Sequence, residues 1–558
     1  DPACGCGNFL IVAYRELRLL ELAVIEQLQK DDQQLVMDVG LLIRCQVSQF
    51  YGIEIEEFPA QIARVAMWLV DHQMNMEVSR RFGMHYARIP LKQSAHIQFA
   101  NALQVEWPIT DFILGNPPFI GSKLIDKDQR VAFDSVMADV PKAGLLDFVS
   151  AWYVKSARLI KAHPNVRCAL VSTNSICQGE QVGVLWSWML AQGIHIQFAH
   201  RTFVWQSAAK GKAAVHCVIV GFGLDQNRAK TIFEYEDGKG APTAIGAQNI
   251  NAYLVDAPNI FISSRSSSIA LSPKMKFGNQ PIDGGNLILD SKEKDEFLKH
   301  KSETKSLIRK YIGAYEFINN VERYCLWLKD VSPAEIKKFP LVLDRIDKVK
   351  KFRLSSDRKA TQDLAESPTT FAFISHEENN YIVVPSVSSE RRKYVPIGFM
   401  SAEVITSNLC LIVPNATLYD FAIMTSIMHN AWMRTTCGRL KSDYRYSASI
   451  VYNNFPWPLE PSDKQKTAIE TAAQAVLDAR AAYPDSSLAD LYDPRSMPPN
   501  LTRAHQQLDK AVDAAYGKTK FNTEAERVAF LFELYQRITS LLPVTALKKA
   551  RVIKFIES

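Results

Sequence analysis

The stretch that decides the fold of this chain is DPACGCGNFL, residues 1–10. It places two glycines, Gly5 and Gly7, directly before residues 9–29, in which apolar side chains recur at helical spacing. A glycine turn lets backbone approach a bound molecule closely, and the N-terminus of the helix that follows favours negative charge. This arrangement is typical of the first turn of a doubly wound α/β sheet.

Beyond this turn, short apolar segments alternate with helical ones as far as about residue 220. The predicted strands cover residues 51–55, 96–99, 112–114, 169–172, 195–198 and 214–221. The alternation predicts a Rossmann-like parallel sheet with helices on both faces. Because Asp1 already occupies the end of a strand, we expect the first, central strand of that sheet to be missing from this chain.

The composition is that of an ordinary globular protein of two to four domains, with 558 residues, 47% of them hydrophobic and 22% charged. No apolar run reaches the roughly 20 residues that a membrane-spanning helix needs, and no signal peptide is evident. The nine cysteines are scattered, which suits reduced thiols, and no Cys/His set has metal-ligand spacing. We therefore expect a cytoplasmic protein that binds neither a membrane nor a metal.

The pattern changes twice along the chain. Residues 1–222 carry the alternating strands and helices, and the change comes near Gly221-Phe222-Gly223. Residues 223–460 combine short strands, turn residues and basic clusters, which predicts an α+β domain. Residues 461–558 are helical again, with an amphipathic stretch over 467–482. The sequence thus predicts three domains with these boundaries.

Residues around the glycine turn point to a nucleotide-like cofactor. The acidic residue and the small Ala/Cys pair of the turn fit the amino-acid end of S-adenosyl-L-methionine. Glu54, at the end of the strand 51–55, can accept hydrogen bonds from both hydroxyls of a ribose, and Asn101 can bind the adenine ring of the cofactor. The predicted cofactor-binding residues are Asp1, Pro2, Ala3, Cys4, Gly5, Gly7, Asn8, Glu54, Ile55, Asn101 and Ala102.

A second motif, GNPPF at residues 115–119, follows the apolar strand 112–114. An exocyclic aromatic amine is a poor nucleophile because its lone pair is delocalised into the ring. The side-chain oxygen of Asn116 and the carbonyl of Pro117 can each accept one N–H of such an amine, while Pro118 keeps the loop rigid and Phe119 offers a face for stacking. These four residues are the predicted catalytic group, and a base that reaches them must leave the duplex.

Several segments together resemble the MmeI-like, type IIL family of restriction–modification enzymes, within the gamma group of amino-methyltransferases. In the first part they are DPACGCGNFL (1–10), YGIEIEEFPAQIA (51–63), NALQVEW (101–107), GNPPFIG (115–121), VSTNSICQGEQV (171–182) and HRTFVW (200–205). Further along they are SSERRKYVP (388–396), SDYRYS (442–447) and YNNFPWP (452–458). The resemblance implies a restriction–modification or related phage-defence enzyme. It would methylate the N6 atom of adenine in a short asymmetric site of double-stranded DNA.

The resemblance also implies roles in DNA binding. Phe203 and Trp205, with Phe119, would stack against the flipped base, although two aromatic residues near a strand are also typical of a core. The predicted base-reading residues are Arg391, Arg392, Lys441, Asp443 and Arg445. The predicted phosphate contacts are Arg345, Lys350, Lys351 and Arg353. A solvated helix face and an internal ion pair between Asp443 and Arg445 are the structural alternatives.

Three other functions stay open from the sequence. NPP[YF] motifs also serve planar nitrogens in RNA or in protein glutamine, so the substrate class has alternatives. The third is a truncated, catalytically inactive DNA-binding fragment, because we expect an N-terminal segment, carrying a nuclease and a linker, to be missing. If the central strand is absent, the isolated chain should bind S-adenosyl-L-methionine weakly or not at all.

Overall fold

The structure is a computed structural model, and it describes residues 1–32, 39–83, 86, 94–205, 215–236, 238–440, 442–517 and 521–540. The chain divides into two compact units, Asp1–Phe261 and Ile262–Ser558. Across the described ranges, no helix is both long and apolar enough to cross a membrane.

The first unit combines strands and helices in alternation. Its described strands are β1 (Tyr51–Glu54), β2 (His96–Phe99), β3 (Phe112–Gly115), β4 (Arg167–Thr173), β5 (His195–Trp205), β6 (Val215–Gly223), β7 (Lys230–Glu236) and β8 (Lys239–Ala247). Its described helices are α1 (Asn8–Asp32), α2 (Glu57–Phe82), α3 (Lys127–Val136), α4 (Ser150–Ala162) and α5 (Glu180–Ala191). All six predicted strands are present, and the α/β fold class is confirmed.

These strands form two sheets. Strands β1 and β2 pair in parallel, and the second sheet has the order β3-β4-β6-β5-β7-β8. Strand β6 runs antiparallel to both β4 and β5, which departs from the purely parallel sheet that the sequence predicts. The first unit also continues beyond the predicted boundary at residue 222, because β7 pairs with β5 and β8 pairs with β7.

Helices α1 and α2 pack together beside the two-stranded sheet and fix the direction in which the chain leaves the glycine turn. Leu10 and Tyr14 of α1 share a buried cluster with Ala63 and Met67 of α2. The Tyr14 hydroxyl donates a hydrogen bond to Asp71 Oδ1 at 2.5 Å. Burial of apolar surface at this contact stabilises the unit and holds the start of α1 in place.

The second unit has shorter elements. Its described strands are β9 (Lys276–Phe277), β10 (Ile288–Leu289), β11 (Ile308–Ile312), β12 (Tyr324–Leu326), β13 (Tyr381–Pro385), β14 (Val387–Ser388), β15 (Gly398–Met400), β16 (Val404–Thr406), β17 (Cys410–Pro414), β18 (Gly438–Leu440) and β19 (Asp443–Arg445). They form three sheets, β10-β12-β11-β16, β15-β13-β17-β9 and β14-β19-β18. This is the mixed α+β arrangement that the sequence predicts for the middle of the chain.

Helices make up the rest of the second unit. They are α6 (Ser291–His300), α7 (Ala314–Asn319), α8 (Pro333–Ile336), α9 (Pro340–Leu354), α10 (Lys359–Asp363), α11 (Leu418–Thr425), α12 (Ile427–Thr436), α13 (Asp463–Ala481), α14 (Leu488–Leu491), α15 (Pro499–Ala515) and α16 (Glu524–Ser540). Helix α13 contains all but the last residue of the amphipathic stretch predicted over 467–482. The boundary predicted at residue 460 lies inside this unit, because α13 packs on α15 and α11.

Arg353 of α9 lies in the interior of the second unit and not on its surface. The side chain is fully buried, and its guanidinium donates hydrogen bonds to five main-chain carbonyls, those of Pro281, Ile282, Leu364, Ser367 and Thr370. The prediction that Arg353 contacts DNA phosphates is therefore wrong. The residue joins α9 to two loops that would otherwise leave buried carbonyls without donors.

We expect Arg353→Met to lower the free energy of unfolding by about 3 kcal/mol, because several buried carbonyls lose their donors. Chemical denaturation of the intact chain measures this. Lys350→Met, on the exposed face of the same helix, is the matched control and should leave the midpoint unchanged. Equal midpoints for the two variants would contradict this account of Arg353.

Candidate functional site

The glycine turn requires glycine at both positions for conformational reasons. Gly5 and Gly7 have φ angles of +52° and +86°, in the left-handed region. A Cβ atom on Gly7 would also lie 3.2 Å from the Cβ atom of Ala63 in α2. The N–H of Gly5 donates to Glu54 Oε2 at 2.8 Å, so the carboxylate at the end of β1 holds the turn.

The neighbouring residues of the turn are packed into the unit. Pro2 and Cys4 are buried, Ala3 is half-buried and Asn8 is exposed at the start of α1. The Pro2 carbonyl accepts a hydrogen bond from the indole N–H of Trp152 at 3.0 Å. The turn is therefore fixed by α4 as well as by β1.

Glu54 and Asn101 lie at the same edge of the two-stranded sheet. Glu54 pairs with Phe99, and the N–H of Ala100 donates to the Glu54 carbonyl at 2.9 Å. Asn101 Oδ1 accepts the N–H of Leu103 at 3.0 Å, which closes a turn after β2. Ile55, beside Glu54, is 60% exposed, an unusual position for an apolar side chain and one that suits contact with a ring. The structure thus brings three of the predicted cofactor-binding residues to one edge.

Lys155 of α4 organises the turn that carries Asn101, a role that the sequence analysis missed. Its ammonium group donates to the carbonyls of Ala102, Leu103 and Val105 at 2.8, 3.2 and 2.5 Å. Burial lowers the pKa of Lys155 to about 8. Ala102, predicted to bind cofactor, has its carbonyl occupied in this way and its side chain buried. The signal in the sequence is a lysine on the otherwise apolar, buried face of α4.

The GNPPF motif begins where β3 ends, next to the glycine turn. A Cβ atom on Gly115 would lie 2.6 Å from Oδ1 of Asp1, so a larger residue there would have to displace the Asp1 carboxylate. Oδ1 of Asn116 is buried, and no donor among the described residues forms a hydrogen bond with it. Leaving a buried acceptor unpaired costs about 1–3 kcal/mol, and such a cost is typical of a functional site. Pro118 is exposed, and Phe119 is half-buried.

Asp147 holds the loop that follows GNPPF, and the sequence analysis missed it as well. Its Oδ1 accepts the N–H of Ser122 at 3.0 Å, and its Oδ2 accepts the hydroxyl of Ser175 at 2.6 Å. The N–H of Phe148 donates to the Ile120 carbonyl at 2.9 Å. A single carboxylate within the apolar run 145–154 was the available signal. The loop is thereby tied to the end of β4.

Phe203 and Trp205 lie in β5, three strands away from β3 in the sheet order. Their ring centroids are 6.2 Å apart, and Phe203 also packs against Tyr235 of β7 at 5.1 Å. Trp205 is 38% exposed. The contact with Tyr235 supports a packing role for Phe203, and stacking on a target base stays a prediction for both rings.

Four of the five predicted base-reading residues come together in the second unit. Strand β14 pairs with β19, so that Ser388 lies opposite Tyr444 and the segment with Arg391 and Arg392 lies beside Asp443 and Arg445. Asp443 Oδ1 accepts the N–H of Glu390 at 3.4 Å, and Arg391 pairs with Asp493 at 3.6 Å. Arg445 is exposed. Lys441 lies outside the described residues.

The predicted phosphate contacts on α9 divide into two groups. Lys350 and Lys351 are exposed to solvent. Arg345 is mostly buried and pairs with Glu293 of α6 at 2.5 Å. The two lysines are therefore the members of this cluster that remain available to a phosphate. The main role of Arg345 is to link α9 to α6 through Glu293.

Family models match nearly the whole chain. The model described as "MmeI, DNA-methyltransferase domain" matches residues 1–234. The model described as "MmeI, target recognition domain" matches residues 256–459, and "MmeI, C-terminal domain" matches residues 461–543.

Two known proteins are similar to 97% of the chain. A solved structure of the type IIL restriction–modification enzyme MmeI in complex with DNA is 51% identical, with a TM-score of 0.85, and 73% of that chain is covered. DNA methyltransferase A of Bacillus subtilis (strain 168) is 42% identical over 552 residues. The chain spans 61% of the length of that second relative.

We expect Lys155→Met to loosen the turn at residues 101–105, because three carbonyls lose a charged donor. Hydrogen–deuterium exchange should show faster exchange of the amides of Leu103 to Val105 than in the unaltered chain. Lys161→Met, on the same helix but at its exposed face, should leave this exchange unchanged. Slow exchange in both variants would show that the turn does not depend on Lys155.

Proposed function

The chain belongs to the MmeI family of DNA methyltransferases, and from this we propose that it transfers a methyl group from S-adenosyl-L-methionine to the exocyclic N6 of adenine in a specific duplex DNA sequence. The observation that carries the proposal is the buried Oδ1 of Asn116, which accepts no hydrogen bond from the described residues, in a loop whose Gly115 packs against the glycine turn. An acceptor held in this position suits an incoming N–H donor.

The residues at the sheet edge fit the cofactor. Gly5 and Gly7 have left-handed φ angles that a larger residue would strain, and a Cβ atom on Gly5 would meet no described atom within 4 Å, which leaves room for a ligand there. Glu54 would take the ribose hydroxyls with the lone pairs that Gly5 and Glu56 leave available, and Asn101 would meet the adenine ring beside Ile55. When bound, the cofactor supplies a methyl group made electrophilic by its sulfonium.

The chain contributes positioning and charge stabilisation. Oδ1 of Asn116 and the carbonyl of Pro117 accept the two N–H groups of the target amine, which draws the nitrogen toward tetrahedral geometry and localises its lone pair. Pro117 and Pro118 fix two successive φ angles, and Asp147 holds the loop behind them. Effects of this kind typically contribute most of the rate enhancement when no general base is present.

The target base has to leave the helix to reach this loop, since its amine is otherwise paired inside the duplex. Phe119 follows the two prolines and offers a ring on which the extruded base stacks. Phe203 and Trp205 are the candidates for an opposite wall. Stacking of a base on an aromatic ring contributes about 1–3 kcal/mol.

We expect Asn116→Ala to reduce methyl incorporation by a factor of about 100 or more, because one of two acceptors for the reacting amine is lost. Transfer of a labelled methyl group from S-adenosyl-L-methionine to duplex DNA, followed by analysis of the modified base, measures this. Asn227→Ala, an exposed position in the same unit, is the control and should retain full incorporation.

Three outcomes would count against the proposal. Label found in RNA or in protein glutamine, and not in DNA, would refute the substrate class. Label at cytosine would refute the target atom. Full incorporation by Asn116→Ala would refute the role of the carboxamide while leaving the family's reaction in place.

The second unit supplies sequence selection in this proposal. Arg391, Arg392 and Arg445 would read base edges, with arginine suited to guanine and Asp443 suited to the amino group of cytosine. Lys350 and Lys351 would contact phosphates and carry no sequence information. In this proposal, catalysis belongs to the first unit, and recognition together with its helical support belongs to the second unit.

Contacts between lysines and DNA phosphates make the binding affinity depend on salt concentration. Each contact releases condensed counterions, so the slope of log K against log [salt] should become shallower by about 2 in the double variant Lys350→Ala/Lys351→Ala. Fluorescence anisotropy with a labelled duplex at several salt concentrations measures the slope. Lys464→Ala/Lys466→Ala, two exposed lysines of α13, should keep the original slope, and equal slopes in the two double variants would remove α9 from the DNA interface.

A further inference from the structure

The segment that follows Arg391 and Arg392 is held by side chains from far along the chain. Arg434 of α12 donates to the Lys393 carbonyl at 2.7 Å, and Asn430 of the same helix accepts the N–H of Val395 at 2.9 Å. Arg480 of α13 donates to the Ile397 carbonyl at 2.7 Å. Main-chain groups at three of five successive residues are thus fixed by helices, in a segment without strand pairing of its own.

Tyr394, at the centre of this segment, is anchored most firmly. Its hydroxyl donates to Oδ2 of Asp509 in α15 at 2.7 Å. Oδ1 of the same carboxylate accepts the N–H of Ile427 at 2.7 Å, at the first residue of α12. Both Tyr394 and Asp509 are buried. One carboxylate therefore links the segment to the starting turn of α12, where a negative charge is favoured by the helix dipole.

The ring of Tyr394 is fixed as well as its hydroxyl. It stacks on the imidazole of His505, one turn before Asp509 in α15, with ring centroids 4.1 Å apart. His505 in turn shares a hydrogen bond with the Tyr492 hydroxyl at 2.8 Å, and Arg480 Nε donates to that hydroxyl at 2.7 Å. Arg480, which donates to the Ile397 carbonyl, is therefore linked through the Tyr492 hydroxyl to His505, which packs on the Tyr394 ring.

We infer that Tyr394 and Asp509 are positioning residues for DNA sequence discrimination, and that α12, α13 and α15 form a rigid base for the segment Lys393–Ile397. This inference rests on the proposed role of Arg391 and Arg392 in reading base edges. The two arginines directly precede the anchored residues, so their backbone can move little while the anchor is intact. Neither Tyr394 nor Asp509 needs to touch DNA.

Rigidity matters here because base reading is a geometric test. An arginine distinguishes guanine by two hydrogen bonds in a fixed plane, and a good bidentate pair contributes about 1–3 kcal/mol of discrimination. If the supporting segment can shift by about 1 Å, the guanidinium can form hydrogen bonds with other bases nearly as well. Loss of the anchor should therefore reduce the preference for the correct site more than the affinity for DNA in general.

Tyr394→Phe tests the inference with the smallest change, since the ring and its stacking on His505 are kept. The matched control is Tyr483→Phe. Tyr483 lies two residues after the end of α13, and its hydroxyl donates to Asn500 Oδ1 of α15 at 2.9 Å. It therefore forms the same kind of tyrosine contact with α15, outside the segment Lys393–Ile397. The DNA recognition sequence is first determined by sequencing DNA that the unaltered chain has methylated.

The readout is the ratio of methylation rates on that site and on duplexes with one base pair changed. We expect Tyr394→Phe to lower this ratio about tenfold, the factor that corresponds to 1.4 kcal/mol, and to speed amide exchange over residues 389–397. Tyr483→Phe should leave both unchanged, even if its melting temperature falls equally.

Equal ratios for the two variants would overturn the inference while leaving the proposed function intact, because both would still methylate the site. Faster exchange with an unchanged ratio would overturn it too, since the anchor would then be structural only. If the unaltered chain methylates no duplex DNA under any condition, the proposed function fails, and this inference fails with it.

Discussion

The first unit depends on how closely the strip Asp1–Cys4 approaches the strands on either side of it. The amino group of Asp1 donates to the Tyr51 carbonyl at 2.8 Å, and the N–H of Ile53 donates to the Asp1 carbonyl at 3.0 Å. On the far side the Asp1 carboxylate lies against Gly115. A larger residue at that glycine would displace the Asp1 carboxylate. This spacing brings the glycine turn, which Glu54 holds, next to the start of the GNPPF loop that carries Asn116.

The second unit obeys a different constraint, since the segment proposed to read DNA has little structure of its own. Strand β14 has two residues, Val387 and Ser388, and its partner β19 has three, Asp443–Arg445. Such short strands hold their register weakly by themselves. Buried polar contacts from the helices, centred on Asp509, supply what the strands lack. Networks of this kind favour one arrangement because other arrangements would leave more buried polar groups unpaired.

Much of the fold and the outline of the site could be predicted because those signals are local. Each predicted strand of the first unit was an apolar run, and the two motifs lie where a strand or helix begins or ends. The supporting residues could not be predicted, because their partners are distant in sequence. Lys155 reaches carbonyls about 50 residues earlier. The burial of Arg353 could not be predicted either, because a run of basic residues has the same appearance whether one member is exposed to solvent or bound to five buried carbonyls.

The anchor between Tyr394 and Asp509 joins residues 115 positions apart, and this has a consequence for how the protein is made. Domains fold as they emerge from the ribosome, with the N-terminal one first. The first unit can therefore fold while the chain is still being synthesised, but the segment after Arg392 stays unanchored until α15 has been released. Under the proposed function, the residues for methyl transfer would thus be assembled before those for site selection are held in place. Site selection would then begin only when the last helices are complete.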